Sequence, residues 1–174
     1  MLMLRAILIS VLILLVIGNS SYSAYAASSK VKIEGNHGKY VQCMKRIALH
    51  YKIPFNVFFA MAKTEGGWIG LYRGNKPYKN GKRTYDIGLM QINSSWIKIF
   101  KRKFDVSVTT LANNGCINIL FAAKIYDYER RLLKKNNKKA GVWNIVGNYH
   151  SKNIFLQKKY ILKVAKNIPK RSSI

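Results

Sequence analysis

Acidic residues are scarce in this sequence. Its 174 residues include 6 Asp and Glu against 31 Lys and Arg, for a formal net charge of +25 at pH 7. So large an excess of positive charge implies a polyanionic neighbour, such as nucleic acid, anionic lipid or a wall polymer that carries carboxylates and phosphates. The basic residues do not gather in one nucleic-acid-binding arm but form separate clusters at 98–103, 130–139 and 158–171.

Cysteine and histidine are scarce too. The three His and two Cys lie too far apart along the chain to suggest a metal site, and we expect neither a metal nor a cofactor. In an oxidising compartment an even pair such as Cys43 and Cys116, separated by a long loop, predicts a disulfide. Two buried free thiols are the alternative.

The first 26 residues have the layout of a secretory signal peptide. Arg5 precedes an apolar run over 6–18, and Ala24 and Ala26 occupy the small-residue positions before a cleavage site after Ala26. The run is shorter than the ~20 apolar residues that span a bilayer, which disfavours the alternative of an uncleaved anchor. We therefore expect a periplasmic or secreted protein with no stable membrane insertion after cleavage and no nucleic-acid partner.

No internal repeat and no long linker divide the rest of the chain. Residues 27–39 are polar and contain glycine, which predicts a loose entry segment, and residues 169–174 form a basic tail. The 148 residues after residue 26 are enough for one domain that buries about two-thirds of its unfolded surface. We therefore expect a single domain over residues 40–168.

Apolar residues with helical spacing predict that this domain is mainly α. The first helix covers 40–51, and a second begins at Pro54 and runs to Glu65, where a group of glycines ends it. The stretch 71–85 that follows contains Gly, Asn and Pro. It is expected to be an irregular loop or a small, weak β-hairpin around "KNGK".

The second half of the domain is also predicted to be helical. Ser94 or Ser95 is expected to cap a short helix through Phe100, and after a polar turn at "ANNG" the longest helix covers 115–134. The last helix covers 153–168. Its expected inward residues are Gln157, Ile161, Val164, Ala165 and Ile168.

With so few acids, the place of each one is informative. Four lie in loops or among basic residues and are expected to be solvated ion-pair partners: Glu34, Asp105, Asp127 and Glu129. Glu65 and Asp86 differ, because each lies in Gly-rich sequence with aromatic residues at the edge of a predicted element.

Glu65 falls on the apolar face at the C-terminal end of its predicted helix. Partial burial and the negative end of the helix dipole both disfavour ionisation and raise its pKa. A carboxyl group that stays protonated near neutral pH can protonate the leaving oxygen of a glycosidic bond. A structural acid bonded to backbone amides is the alternative.

Three ordered motifs, "AMAKTEGG", "YDIGLMQIN" and "VGNYHS", resemble those of the soluble lytic transglycosylase (SLT) branch of the lysozyme superfamily. The resemblance runs from about Tyr40 to Tyr160 and implies a lysozyme-like fold. With "GCIN" before its long helix, the chain is similar to the small exported transglycosylases of conjugation, type IV secretion and type III secretion machines. The implied reaction cleaves the β-1,4 bond between N-acetylmuramic acid and N-acetylglucosamine in peptidoglycan, leaves a 1,6-anhydro end, and opens the wall for such a machine.

Carried over by position, the resemblance makes Glu65 a single general acid and base, and Tyr149 an aromatic hydroxyl that faces it. It places these residues along the saccharide groove: Gly88, Leu89, Met90, Gln91, Asn93, Asn148 and His150. Two positions depart from the family pattern. Gly66 stands where many members have Ser, and His150 takes the place of a groove amide.

Asp86 leaves other functions open. The segment around it also resembles animal-type lysozymes, which keep a second catalytic carboxylate at this position. A hydrolase that uses Glu65 and Asp86 is therefore the alternative enzyme. The non-enzymatic alternatives are a cationic wall-binding assembly protein and a cationic membrane-active protein.

Overall fold

The computed structural model describes residues 40–78 and 80–170. The expected signal peptide, the loose segment, Glu34 and residues 171–174 lie outside the described residues. In the described part, no helix is long and apolar enough to cross a membrane. Its helices are α1 (Val41–His50), α2 (Phe55–Glu65), α3 (Ile97–Phe104), α4 (Val108–Asn113), α5 (Gly115–Lys135), α6 (Val142–His150) and α7 (Ile154–Lys166). The strands are β1 (Tyr72–Gly74), β2 (Tyr85–Ile87) and β3 (Ile92–Asn93).

The first two helices are the ones that the sequence predicts. Pro54 directly precedes α2 with a φ of −57°, which suits a helix entry, and its carbonyl accepts the N–H groups of Val57 and Phe58. Gly66 follows α2 in the left-handed region with a φ of 59°, where a side chain is disfavoured. Glu65 is therefore the last residue of α2, as predicted.

The strands form one small antiparallel sheet in the order β1-β2-β3. Arg73 pairs with Asp86 between β1 and β2, and Asp86 pairs with Asn93 between β2 and β3. The hairpin that the sequence offered as one option for 71–85 is present. Its turn closes through the Tyr78 N–H, which donates to the Lys82 carbonyl at 2.8 Å. Asp86, on the middle strand β2, therefore lies between Arg73 of β1 and Asn93 of β3.

Two local predictions after the sheet are wrong. The cap is the side chain of Asn93, which accepts the Ser95 N–H at 3.0 Å and starts a 3-10 turn over Ser94–Trp96 before α3. The short helix α4 was not predicted, and its last two residues fall in the expected polar turn at "ANNG". Its β-branched Val and Thr residues have low helix propensity, and it is stabilised by a Ser107 cap and by burial of Leu111 and Ala112.

The longest helix, α5, packs against α1, α4 and α6 and forms the centre of the core. Its predicted inward residues Ile119, Ala123 and Tyr126 are at most 1% exposed. Cys116, at its N-terminal end, is bonded to Cys43 of α1 across 73 residues, so the predicted disulfide is confirmed. In the chain-entropy model such a crosslink contributes ~4 kcal/mol to stability.

Glu129 of α5 was expected to be a solvated acid. Its side chain is only 2% exposed and forms an ion pair with Lys152, so it is not a solvated acid. Asp127, two residues earlier, does pair with basic neighbours, Arg130 and Arg131, and Asp105 is exposed at the end of α3.

The last helix is shorter than predicted, and the set of residues on its buried side differs in part from the predicted set. Val164 is buried as expected, but Ala165 is exposed and Ile168 lies beyond the helix end. Tyr160, which was not predicted to be inward, is 4% exposed. The buried side of α7 contacts α2, the helix that ends at Glu65.

Asn118 of α5 joins the core to the turn between β2 and β3. It is fully buried, its Oδ1 accepts the Met90 N–H at 2.7 Å, and its Nδ2 donates to the carbonyls of Ile87 and Leu111 at 3.0 and 2.9 Å. One side chain therefore satisfies three backbone groups that water does not reach.

We expect Asn118→Ala to lower the free energy of unfolding by about 3 kcal/mol, because each buried backbone group left without a partner costs ~1–3 kcal/mol. Urea denaturation measures this change. The matched control is Asn144→Ala at an exposed position of α6, which should change stability by less than ~0.5 kcal/mol. Equal stability of the two variants would contradict a bonding role for Asn118.

Candidate functional site

A cleft of about 680 Å³ opens beside the sheet and is lined by residues from α2, β2, β3, α5 and α6. It brings together most of the residues that the sequence singled out: Glu65, Asp86, Gln91, Asn93, Asn148, Tyr149 and His150. These residues are spread over 86 positions of sequence but share one cavity. The fold therefore brings these seven residues to one concavity.

The predicted groove residues Leu89 and Met90 are not in the cleft. Both side chains are fully buried in the core, where they anchor the turn between β2 and β3. Gly88 also has a packing role, since a Cβ there would lie 2.5 Å from the Asn118 Nδ2 and its φ is +70°. Of the segment from Gly88 to Gln91, it is the Gln91 side chain that lines the cleft.

Gln91 itself is held in an unusual backbone conformation. Its φ is 47°, its Nε2 donates to the Gly88 carbonyl at 2.8 Å, and its Oε1 is buried with no hydrogen-bond partner among the described residues. A buried acceptor without a donor is costly unless a ligand or water supplies one.

Glu65 reaches the cleft from the C-terminal end of α2. Burial raises its pKa from 4.5 to about 7, and the negative charge of Asp86 adds to the rise. The hydrogen bond from Tyr160 and the positive charges of Arg73 and Lys163 act in the opposite direction without cancelling it. Glu65 therefore holds its proton to a much higher pH than an exposed glutamate does.

The phenol that contacts the Glu65 carboxyl belongs to Tyr160. Its hydroxyl donates to the Glu65 Oε1 at 2.6 Å from the inner face of α7. The family resemblance assigned this role to Tyr149, whose hydroxyl instead donates to the Met90 carbonyl at 3.2 Å. Tyr149 still lies close enough for Glu65 to help raise its pKa, after burial, well above 10, so it is neutral.

The burial of Tyr160, though not its contact with Glu65, could have been predicted from the sequence. It lies three residues after Gln157 and four before Val164, both predicted to face inward, so helical spacing alone places it on the buried side. A buried Tyr hydroxyl needs a polar partner, and Glu65 was the candidate acid expected on an inward face.

His150 lies against Tyr160 in parallel stacking, with ring centroids 4.3 Å apart. Its pKa is lowered from 6.5 by burial and by Lys163, while Asp86 acts to raise it. The imidazole is therefore largely neutral at pH 7. It adds little positive charge beside Glu65 and packs against the ring of Tyr160.

Asp86 reaches the same cleft from β2. Its Oδ1 accepts the Asn93 Nδ2–H at 2.8 Å, and the side chain is partly buried. The cleft also contains a carboxylate that the sequence did not predict, Glu129, ion-paired with Lys152. Residues 40–78 and 80–170 contain no group of three His, Cys, Asp or Glu placed to hold a metal ion.

The arrangement offers one carboxyl group that can donate a proton near pH 7, a second carboxylate nearby, and amide groups along an open cleft. These groups are suited to acid-catalysed cleavage of a polar polymer such as a glycan.

Comparison with protein families agrees with this geometry. The family model described as "Transglycosylase SLT domain" matches residues 42–167, which include every residue that lines the cleft. No curated protein sequence matches the chain. Mostly helical with a small antiparallel sheet, the chain belongs to the SLT transglycosylase family, lytic transglycosylases of lysozyme-like fold that cleave glycosidic bonds in peptidoglycan.

Proposed function

We propose that Glu65 is the single general acid and base of a non-hydrolytic cleavage. The bond is the β-1,4 link between N-acetylmuramic acid and N-acetylglucosamine, and the product carries a 1,6-anhydro end. The observation that carries the proposal is the place of Glu65 in the cleft, where a Tyr160 hydrogen bond orients its carboxyl group and burial raises its pKa to about 7.

In the first step, protonated Glu65 donates its proton to the glycosidic oxygen. The bond from this oxygen to C1 of the muramic acid breaks, and the carbonyl oxygen of the 2-acetamido group of the same sugar bonds to C1. Tyr160 occupies the Glu65 Oε1 as a donor, so the proton resides on the Oε2. The hydrogen bond therefore selects which oxygen delivers the proton.

In the second step, the Glu65 carboxylate removes the proton from the C6 hydroxyl of the muramic acid. The C6 oxygen bonds to C1 as the acetamido oxygen leaves, which forms the 1,6-anhydro ring and returns Glu65 to its protonated state. No water enters the product. A group with a pKa near the working pH suits both halves of this cycle.

The amide groups of the cleft are proposed to bind the glycan. The Gln91 Oε1 is buried and without a partner among the described residues, so it can accept a hydrogen bond from an acetamido N–H or a hydroxyl group. Asn93 and Asn148 also line the cleft, but each already bonds a neighbour, Asp86 and Gln157 respectively. Gln91 is therefore the side chain with the clearest unused capacity.

Asp86 supports a second candidate function, a two-carboxylate hydrolase, because it shares the cleft with Glu65. In the transglycosylase its role is electrostatic, since its charge helps to keep Glu65 protonated. The two functions differ in whether Asp86 or the substrate's own acetamido group stabilises the glycosyl cation.

Mass analysis of muropeptides separates the two candidates. Digestion of purified peptidoglycan should give products lighter by one water than hydrolytic products. Glu65→Gln should lower the rate at least about 10²-fold, the usual contribution of a general acid. Asp86→Asn should be slower than wild type but give the same anhydro products.

The control for these variants is Asp105→Asn, the same chemical change at an exposed acid that does not line the cleft. It should leave rate and products unchanged. Products of hydrolytic mass that disappear with Asp86→Asn would show that the protein works as a hydrolase instead.

The pH dependence of the rate reports the state of Glu65. The value of kcat/KM should be constant below about 7 and fall about tenfold per pH unit above it, because the carboxylate cannot donate a proton. The Tyr160 hydrogen bond lowers this pKa. Tyr160→Phe should therefore move the alkaline limb to higher pH while lowering the plateau, because the carboxyl group loses its orientation.

Tyr149→Phe is the matched control, since that hydroxyl donates to the Met90 carbonyl and not to the carboxyl group. Its alkaline limb should stay where the wild type has it. An alkaline limb that is identical in wild type and Tyr160→Phe would contradict the assigned contact.

We also propose that the protein is exported and opens the wall locally for a secretion or conjugation apparatus. The support is the signal-peptide layout and the resemblance of "GCIN" and the three motifs to transglycosylases of such machines. In the organism that carries it, Glu65→Gln should abolish assembly or transfer. An unchanged phenotype would favour the alternative of a non-catalytic wall-binding protein.

A further inference from the structure

The outer face of α7 exposes large apolar side chains. Phe155 is 72% exposed and Leu162 is 63% exposed, and because they are seven residues apart they lie two turns apart on one side of the helix. The opposite side carries the buried Tyr160 and Val164. The helix therefore has a second apolar strip that the fold does not cover in the described part of the chain.

Three lysines surround this strip. Lys158 and Lys159 lie three and four residues from both Phe155 and Leu162, and Lys166 lies four residues after Leu162. All three are exposed, and no ion pair joins them to an acid within residues 40–78 and 80–170. Residues 130–174 contain no Asp or Glu side chain.

We propose that this face, defined by Phe155, Lys158, Lys159, Leu162 and Lys166, docks on an anionic lipid surface. The two apolar side chains enter the boundary between headgroups and acyl chains, and the lysines contact lipid phosphates. Charge complementarity favours an anionic partner, and the exposed Phe and Leu favour a lipid over a wall polymer, which offers charge but no apolar phase. Such docking is peripheral and involves no spanning helix.

Docking would also orient the cleft. Tyr160 on the inner face of α7 bonds Glu65, so the helix that rests on the lipid is the one that orients the proton donor. The cleft would then stand at a fixed height above the membrane. The docking itself does not depend on catalysis, and Glu65→Gln should bind vesicles as the wild type does.

The test uses the full chain and a local probe, because the apolar run at 6–18 can also contact lipid. The Ala165→Cys variant, at an exposed position three residues after Leu162, carries an environment-sensitive fluorophore on the new thiol under non-reducing conditions. Vesicles of phosphatidylcholine with phosphatidylglycerol should shift its emission to the blue, and vesicles of phosphatidylcholine alone should not. The response should weaken as salt is added, because the attraction is electrostatic.

Phe155→Ser with Leu162→Ser should weaken vesicle binding at the probe at least about tenfold, since both apolar contacts are lost. The matched control is Leu49→Ser on α1, where an 81% exposed leucine should contribute nothing. Circular dichroism and digestion of isolated peptidoglycan check the fold, because neither Phe155 nor Leu162 lines the cleft. Lys158→Gln with Lys159→Gln should reduce both the affinity and its salt dependence.

Several results would overturn the proposal. One is no probe response to anionic vesicles; another is an equal response to neutral vesicles or in the Phe155→Ser, Leu162→Ser variant. A shift produced by peptidoglycan without lipid would identify a wall polymer as the occupant. A shift produced by unlabelled protein without vesicles would identify a second copy of the chain.

Discussion

The hydrogen bond from Tyr160 to Glu65 joins the last helix to the second across 95 residues of sequence. Two effects on the pKa of the Glu65 carboxyl group oppose each other here, because burial raises the pKa and the hydrogen bond from Tyr160 lowers it. Burial without the bond would leave a more strongly protonated but poorly oriented acid, and the bond without burial would leave a carboxylate. The remaining structure serves this contact: α2 delivers Glu65, α7 delivers Tyr160, and His150 stacks on the phenol ring.

Most residues of the motif segment from Gly88 to Gln91 pack in the core and do not face the cleft. Leu89 and Met90 are buried, Gly88 is required because Asn118 lies where its Cβ would be, and Tyr149 bonds the Met90 carbonyl. The turn is thus fixed from α5 and from α6, and the Gln91 side chain is held where it can meet a ligand. A rigid turn limits the entropy that binding must overcome.

The sequence predicted what depends on local pattern and missed what depends on register and burial. Helical spacing placed Glu65 on an inward face, the glycines after it placed it at the end of its helix, and the Gly and Asn content around "KNGK" made a hairpin one of two options. Spacing does not say how deeply a charged side chain lies, so Glu129 was taken as solvated although Lys152 pairs with it. Spacing also does not say which of the two phenols, Tyr149 or Tyr160, contacts the Glu65 carboxyl group. That depends on how α6 and α7 pack, and in the structure Tyr160 of α7 makes the contact.

A net charge of +25 should lower the pKa of every carboxyl group in this protein, and Arg73 and Lys163 do act on Glu65 in that direction. The proton donor therefore exists because local burial outweighs the field of the whole molecule. Asp86 is the neighbouring charge that assists burial. Its negative charge supports the acid even if it never contacts the glycosyl cation. A slower Asp86 variant is consequently expected under both mechanisms, and only the chemical identity of the product distinguishes a charge that tunes Glu65 from a second catalyst.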